Sequence, residues 1–510
     1  MKKIGNTVFL VAVIMFFTKL ITMFSNILYM AKFGINDMTN IYSFALMMPN
    51  IIFNIIGTAL NTVLIPIYLS FKSKSDNNGA KKFIDNIITI SSLLIFILIT
   101  LGMVLAPLIA RIGGFSALNS IDVFNYAVFA IRILLPIMFF HGLNYIFQGF
   151  LQANDKFKLP AFVSAPSSIV IILYVVVFGD KFSVTGLLYA TLIGFSLQPL
   201  IMLPLVRKLG YRYKFSFGIK DKAIVQAGKY TLPVLLSVSS YQINMFFNTT
   251  LALRFGTTPI VTLVQQVVII SILTIVYAVV NVYFPRLTKL WQEKNINEYS
   301  KAIYDIVLMI SFLLIPAAFG FFVLRIELSD FLANWGRIDY IYVEIAGNML
   351  AIYGFSVLAI GLKEIMDKAF YAQKDTKTPA IFGFVIMASN ILISLLLVNI
   401  LGTYSMPVAY LISSFIGLFG LIIVMNKRIK FINTNLLIGI LKCLISALIM
   451  ALFVYLVSKA VNSISFKIEV LTRLFKIIIP AFVGVSVYFF MGLVLKITQV
   501  TEIVEKAKRK

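Results

Sequence analysis

MFSNILYMAKFG at residues 23–34 and MFFNTTLALRFG at residues 245–256 are two copies of one segment. Met23 and Met245, Phe24 and Phe246, Asn26 and Asn248, Lys32 and Arg254, Phe33 and Phe255, and Gly34 and Gly256 recur in register. Farther along, Pro66 of VLIPIYLSF answers Pro285 of VYFPRLTKL. FLQANDKFKLPA (150–161) answers FYAQKDTKTPA (370–380), so Pro160 pairs with Pro379 at the spacing that separates Pro66 from Pro285. The chain repeats itself once near its midpoint. In a membrane protein such a duplication builds a two-lobed transporter, with the transported molecule held between the lobes near the bilayer midplane.

The membrane setting follows from composition. Of 510 residues, 60% are hydrophobic and 13% charged, far from the balance of a soluble globular chain. Apolar runs of about 20 residues or more recur throughout, each long enough to cross roughly 30 Å of hydrocarbon as a helix. They are continuous rather than alternating with period 2, which argues against a β-barrel. The first run follows Lys2 and Lys3 as in a signal peptide. It is too long for a signal core and lacks a small-x-small cleavage site, so it is expected to stay as the first span. Fourteen spans are expected, at roughly 5–30, 40–68, 84–110, 123–152, 159–178, 184–205, 223–253, 259–285, 301–323, 341–371, 378–400, 404–426, 434–460 and 474–496. Pro49, Pro66, Pro136, Pro233 and Pro285 fall inside long spans and predict kinks whose freed backbone groups find partners on neighbouring helices.

A net charge of +24 raises the question of nucleic acid. The basic residues instead sit in short clusters between apolar runs, the pattern of the positive-inside rule, so no nucleic-acid partner is expected. Assigned to alternate connections, Lys and Arg divide roughly 27 to 10 in favour of one side, which places both termini in the cytoplasm of a multi-pass protein. Six spans return the chain to its starting side, so the repeats are parallel, related by an axis along the membrane normal. The expected organisation is an N-terminal lobe at 1–222, a C-terminal lobe at 223–430, and two extra spans with a cytoplasmic tail at 431–510. Cys443 and His141 each fall in an apolar run. Neither a disulfide nor a His/Cys metal site is available, and no cofactor is expected. The connections are too short for a soluble catalytic domain, so no enzyme is expected either.

Several segments resemble the MurJ-type lipid II flippases of the multidrug/oligosaccharidyl-lipid/polysaccharide exporter superfamily. FGINDMTNIYSFALMMPN (33–50), with its Pro49-Asn50 pair, is similar to the family's first loop and second span, and IPIYLSFKSK (65–74) to the end of that span. NDKFKLPAF (154–162) and FYAQKDTKTPA (370–380) resemble the loops after spans 4 and 10, and FPRLTKL (284–290) the end of span 8. The likeness runs along essentially the whole chain, and the two extra spans fit the family's architecture. The resemblance implies a bacterial cytoplasmic-membrane protein that moves a polyprenyl-diphosphate glycolipid from the inner to the outer leaflet by alternating access. It also implies contact with the lipid bilayer and with proteins of cell-wall synthesis. The family lines its cavity with several arginines and an aspartate. This chain has Ser25, Asn26, Asn40, Phe53, Asn54, Gln265 and Gln266 in that region, and Lys19 keeps a basic position.

The candidate substrate-binding residues are Lys19, Asn26, Asn54, Asn61, Arg132, Gln242, Asn248, Gln265 and Gln266. A cation in mid-span is expensive and normally faces a cavity or a partner, so Lys19 is read as contacting phosphate, with a structural ion pair as the plainer alternative. Arg132 serves either an anionic substrate or the backbone freed by Pro136. Asn26 and Asn248 hold equivalent repeat positions and can be binding groups or interhelical glue. Gln242, Asn244, Gln265, Gln266, Asn54 and Asn61 form polar stretches that must be buried in protein or meet water. His141 reads as a structural residue more readily than as a proton switch. Lys363, Glu364, Asp367 and Lys368 form an i, i+4 network that is a gate or a plain ion-pair patch. Lys442 reads as a snorkelling lysine.

Two other classes compete. A flippase for capsule or other surface-polysaccharide oligosaccharides, Wzx-type, would suit a cavity of amides. A cation-coupled drug exporter of the same superfamily needs carboxylates within the membrane, and the span interiors hold almost none.

Overall fold

The computed structural model describes residues 2–115 and 120–501; the side chains of 2–9, 12, 54, 55, 58–63, 73 and of stretches within 229–241 and 269–282 lie outside that description. The chain is all α. The helices are α1 (Lys2–Phe33), α2 (Asp37–Ser73), α3 (Asn77–Ile112), α4 (Ile121–Leu134), α5 (Ile137–Ala153), α6 (Lys158–Phe162), α7 (Ala165–Val177), α8 (Gly179–Lys208) and α9 (Lys222–Leu253). They continue as α10 (Thr258–Gln292), α11 (Ile296–Val323), α12 (Arg325–Ala333), α13 (Tyr340–Ala372), α14 (Lys377–Leu401), α15 (Ser405–Ile429), α16 (Thr434–Val461) and α17 (Glu469–Val494). No strand occurs among the described residues. Taking α4 with α5 and α6 with α7, and setting the nine-residue α12 aside, the helices run in the order of the expected spans.

Local sequence explains most helix ends. Asn36, Asp76, Asn295 and Asn433 each accept a backbone N–H three residues on, at 3.1, 2.7, 3.2 and 2.9 Å, which satisfies one of the donors a helix start leaves open. Pro136 does interrupt its span, separating α4 from α5. Pro49 and Pro66 sit inside a continuous α2, and Pro285 inside a continuous α10. The side chain of Pro233 lies outside the described set. The eighth helix is interrupted at Ser183, whose φ of 51° and ψ of −150° break the spiral just where the span was expected to begin.

The duplication is written into the backbone as well as the sequence. Residues with positive φ recur in pairs: Gly34 with Gly256, Ser75 with Lys294, Gly114 with Gly336, Asp155 with Lys374, Ser183 with Gly402, and Gly210 with Lys430. Lys496, in the part beyond the repeat, has no counterpart. A left-handed residue after a helix reverses the chain within one or two positions, and only two of these six pairs, Gly34–Gly256 and Gly114–Gly336, keep glycine in both copies. Turn geometry is thus retained where residue identity has drifted.

The helices pack into two compact units. One comprises Met1–Thr262 with Trp335–Arg337; the other comprises Leu263–Asn334 with Ile338–Lys510. These units record which helices touch, whereas the repeat records which helices recur. In the first, α2, α3, α5 and α8 meet over Leu64, Phe83, Ile87, Phe150, Leu151 and Met202. Its short excursion at 335–337 is held by the Arg337 N–H, which donates to the Ala31 carbonyl at 2.8 Å. Gly336 there has φ +59°, and a Cβ would come within 2.1 Å of that same carbonyl, so glycine is required. In the second unit, α16 and α17 pack on α11 through Ile315, Cys443, Ala447, Met450 and Tyr488. Leu448, Leu452, Phe482, Val485 and Phe490 point away from this contact and are exposed, as suits helices whose other neighbour is hydrocarbon. A buried arginine ties the last span down: Arg473 of α17 pairs with Asp330 of α12 at 3.3 Å and with Glu469, and donates to the Asp330 carbonyl at 3.0 Å.

Candidate functional site

In a bilayer every polar atom must find a partner inside the protein or in water. The state of each candidate side chain is therefore informative. In the first unit one set is fully bonded. Asn144 of α5 donates to Gln198 of α8 at 2.9 Å, Gln198 donates to Ser167 of α7 at 2.9 Å, and Gln148 donates back to Asn144 at 3.1 Å. Ser168 donates to Thr22 of α1 at 3.0 Å. This amide relay ties four helices together. Sequence reasoning missed it, although two amides one turn apart in an apolar run (Asn144 and Gln148) were a visible signal.

A second set is open. Ser240, Asn244 and Asn248 lie at i, i+4 and i+8 on α9, so they form one stripe. All three are buried, and the Ser240 hydroxyl and the side-chain carbonyl oxygens of Asn244 and Asn248 lack a hydrogen-bond partner among the described residues. Leaving such a group unsatisfied costs about 1–3 kcal/mol. Gln242 is half-buried on a different face of α9, apart from this stripe. Asn26 is half-buried on α1. Asn54 and Asn61 lie on α2 with side chains outside the described set.

Lys19 is exposed on α1, and no ion pair to it occurs among the described residues. Its candidate span runs from Val13 to Phe33. Among the described residues the structural-pair alternative finds no carboxylate. Arg132 is also exposed, and its Nε donates to the Met103 carbonyl of α3 at 3.1 Å. The expectation that it serves backbone freed by Pro136 is corrected in one respect. Met103 lies four residues before Pro107, which is inside α3; proline has no N–H, so Pro107 leaves the Met103 carbonyl without its helical donor. Arg132 supplies the missing donor.

His141 is held on all sides. Its Nε2 lies 2.8 Å from the Asn50 side-chain oxygen, its ring is stacked with Phe53 at 6.1 Å, and Phe195 meets it edge-on at 5.0 Å. That is the setting of a structural histidine. Asn40 links the start of α2 to the start of α10: its side-chain oxygen accepts the Thr258 N–H at 3.1 Å, and its Nδ2 donates to the Asn36 carbonyl at 2.9 Å.

In the second unit, Gln265 is buried and donates to the Tyr353 hydroxyl at 3.3 Å, while its Oε1 has no partner among the described residues. Gln266 is half-buried. Lys363 and Asp367 form the expected i, i+4 ion pair at 2.5 Å, with Asp367 buried and its second oxygen unpartnered. Lys368 lies 5.4 Å from the ring centre of Tyr371, and Glu364 is half-buried beside the pair. Asn390 and Ser394, one turn apart on α14, are buried with no partner among the described residues; this pair was also missed. Lys442 is half-buried on α16. No group of His, Cys, Asp or Glu able to hold a metal occurs among the described residues.

Membrane-length helices carrying buried, partly open amides suit a polytopic transport protein. Residues 30–476 match the family model described as "Lipid II flippase MurJ", and the chain belongs to that family. It is 23% identical over 475 residues to a probable lipid II flippase MurJ of Buchnera aphidicola subsp. Baizongia pistaciae, covering 90% of this chain and 91% of the relative. Its fold matches a solved structure of lipid II flippase MurJ in an inward closed conformation with a TM-score of 0.81 at 22% identity, covering 97% of this chain and 100% of that one. It also matches an inward-facing MATE family multidrug transporter of the MOP superfamily with a TM-score of 0.66 at 17% identity, covering 81% and 94%.

Proposed function

We propose that this protein flips lipid II, the peptidoglycan precursor, from the inner to the outer leaflet of the bacterial cytoplasmic membrane. The observation that carries this reading is the family match over residues 30–476. The geometry supports it with groups suited to a sugar–diphosphate headgroup: Lys19, with no ion pair among the described residues, and the oxygens of Ser240, Asn244 and Asn248 that lack a partner among them. A carbonyl oxygen accepts sugar hydroxyls, and an ammonium answers phosphate. Asn26, Gln242, Asn54 and Asn61 in the first unit, and Gln265 and Gln266 in the second, are further candidate binding groups; Arg132 keeps guanidinium donors beyond the one it gives to Met103. The headgroup binds from one leaflet while the polyprenyl tail stays in lipid, and a rocking of the 1–222 and 223–430 lobes exposes it to the other. The Lys363–Asp367 pair, with Glu364 and Lys368, gates one end. Both termini lie in the cytoplasm, and cell-wall synthesis proteins take the product.

A second reading, transport of another polyprenyl-diphosphate oligosaccharide, is favoured by the amides that stand where the family carries arginines. Depletion of the protein in its host, followed by an enzyme added outside that acts on lipid II headgroups, separates the two. Shielding of lipid II that Lys19→Ala reproduces supports the first reading. Continued lipid II exposure with loss of a surface glycan supports the second.

A further inference from the structure

The connection from α8 to α9 contains YRYKFSFGIK at residues 211–220, a segment outside any helix. It is nevertheless fixed in place. Asp85 of α3 accepts the Tyr211 hydroxyl at 2.7 Å and the Lys214 N–H at 3.1 Å. Asn86 accepts the Ser216 hydroxyl at 2.7 Å and the Gly218 N–H at 3.0 Å. Thr89 meets the Tyr213 hydroxyl at 2.9 Å. Asp85, Asn86 and Thr89 are buried. Burial, reinforced by the bond to Asp85, pushes the Tyr211 hydroxyl well above its ordinary pKa, so it stays a donor.

What this pinned strap presents outward is unusual. Tyr213, Phe215, Phe217 and Ile219 are 48%, 78%, 50% and 56% exposed, and the exposed Arg212, Lys214 and Lys220 alternate with them. Arg207, Lys208 and Lys222 flank the segment. Lys72, Lys74, Lys81 and Lys82 are exposed around the N-terminus of α3, the end to which the strap is bonded. The acid within 207–222 is Asp221, which is spent on the N-terminus of α9, accepting the Ala223 N–H at 2.9 Å. A row of aromatics held out to water is unfavourable by area alone. At the ends of membrane spans it has a natural partner, since aromatic side chains settle at the headgroup level. Lysine and arginine stems reach from there to phosphate.

We propose that residues 211–220 form an interfacial strap that binds anionic phospholipid headgroups, with Tyr213, Phe215, Phe217 and Ile219 at the acyl boundary and Arg212, Lys214 and Lys220 on the phosphates. The occupant follows from charge: ten cations stand here against two carboxylates, Asp76 and Asp221, each already committed to a helix start. That the leaflet is the cytoplasmic one rests on the orientation reading above; lipid binding itself does not. By holding both the end of α3 and the leaflet, the strap fixes the point from which α9 enters the membrane.

The test uses the full-length chain in nanodiscs of phosphatidylcholine with or without phosphatidylglycerol. Phe215→Trp keeps the aromatic anchor and reports on it, and the parent chain gives the background of Trp291 and Trp335. The introduced indole is expected to be quenched by lipids labelled near the headgroup, more strongly when phosphatidylglycerol is present. Neutralising Arg212, Lys214 and Lys220 together to Gln is expected to lower the preference for phosphatidylglycerol by about fivefold per residue, roughly a hundredfold in all. Molar salt is expected to erase that preference, because the screening length falls to about 3 Å. Quenching by a water-soluble agent alone overturns the proposal, and so does equal lipid quenching in the two disc types. Protection by free pyrophosphate in neutral discs also overturns it, since the occupant would then be a diphosphate in solution. No transport is measured, so failure of the flippase reading and failure of the strap are distinguishable.

Discussion

The amide relay of α5, α7 and α8 and the polar stripe of α9 use the same kinds of side chain to opposite ends. Asn144, Gln198 and Ser167 spend their hydrogen-bonding capacity on one another. Ser240, Asn244 and Asn248 are as deeply buried and keep oxygens in reserve. In hydrocarbon a satisfied amide is adhesive between helices. An open one has to meet water or a passing molecule. The difference teaches that polarity within a span says little until its partners are counted.

The largest expected effect lies on the open side. Asn248→Leu removes an acceptor that has no partner among the described residues, so thermal stability in detergent should hold or rise while lipid II exposure falls. The fall should be about tenfold, the worth of a hydrogen bond of about 1.4 kcal/mol. A melt lowered in parallel with transport would merge the stripe with the relay. Gln198→Leu should do the reverse, lowering stability by about 1–3 kcal/mol because Asn144 and Ser167 lose their partner. Transport per folded molecule should be unchanged, and denaturation combined with a flipping assay reads both.

Arg132 lies between the two classes and can be assigned by a double-mutant cycle. Pro107→Ala restores an N–H four residues after Met103, so Arg132→Gln should cost less stability in that background. The coupling should be about 0.5–3 kcal/mol. A transport defect of Arg132→Gln that survives Pro107→Ala would give the guanidinium a second duty. The smallest effect belongs outside the hydrocarbon. Burial alone would raise the pKa of Asp375, but the Thr378 N–H and hydroxyl and the Arg428 guanidinium together hold it down at about 2. A folded pKa below the unfolded one stabilises at neutral pH, and the contribution is lost as pH falls from about 4 through 2. Asp375→Asn should therefore cost about 1 kcal/mol or less near neutrality and nothing near pH 2, as melting across that range would show.

Much of the fold was legible because it is written locally. Apolar length gave the spans, and Asn36, Asn295 and Asn433 mark helix starts by type and position. The repeated MFSN and MFFN segments announced a duplication, and the backbone turns left-handed at corresponding residues of the two copies. Lys19 and Arg132 stood out because a charge in an apolar run is conspicuous on sight. The carbonyl that Arg132 serves did not, since Pro107 is on another helix.

The sequence by itself determined the membrane-spanning, all-α character of this protein, its duplication and its family. Those depend on hydropathy, spacing and motif order along one chain. Only the tertiary structure decided which amides are bonded to each other, which oxygens stay open and which loop is strapped to α3. Each of those outcomes is a meeting between residues far apart in sequence, and periodicity tells which face a side chain takes without telling what lies opposite it.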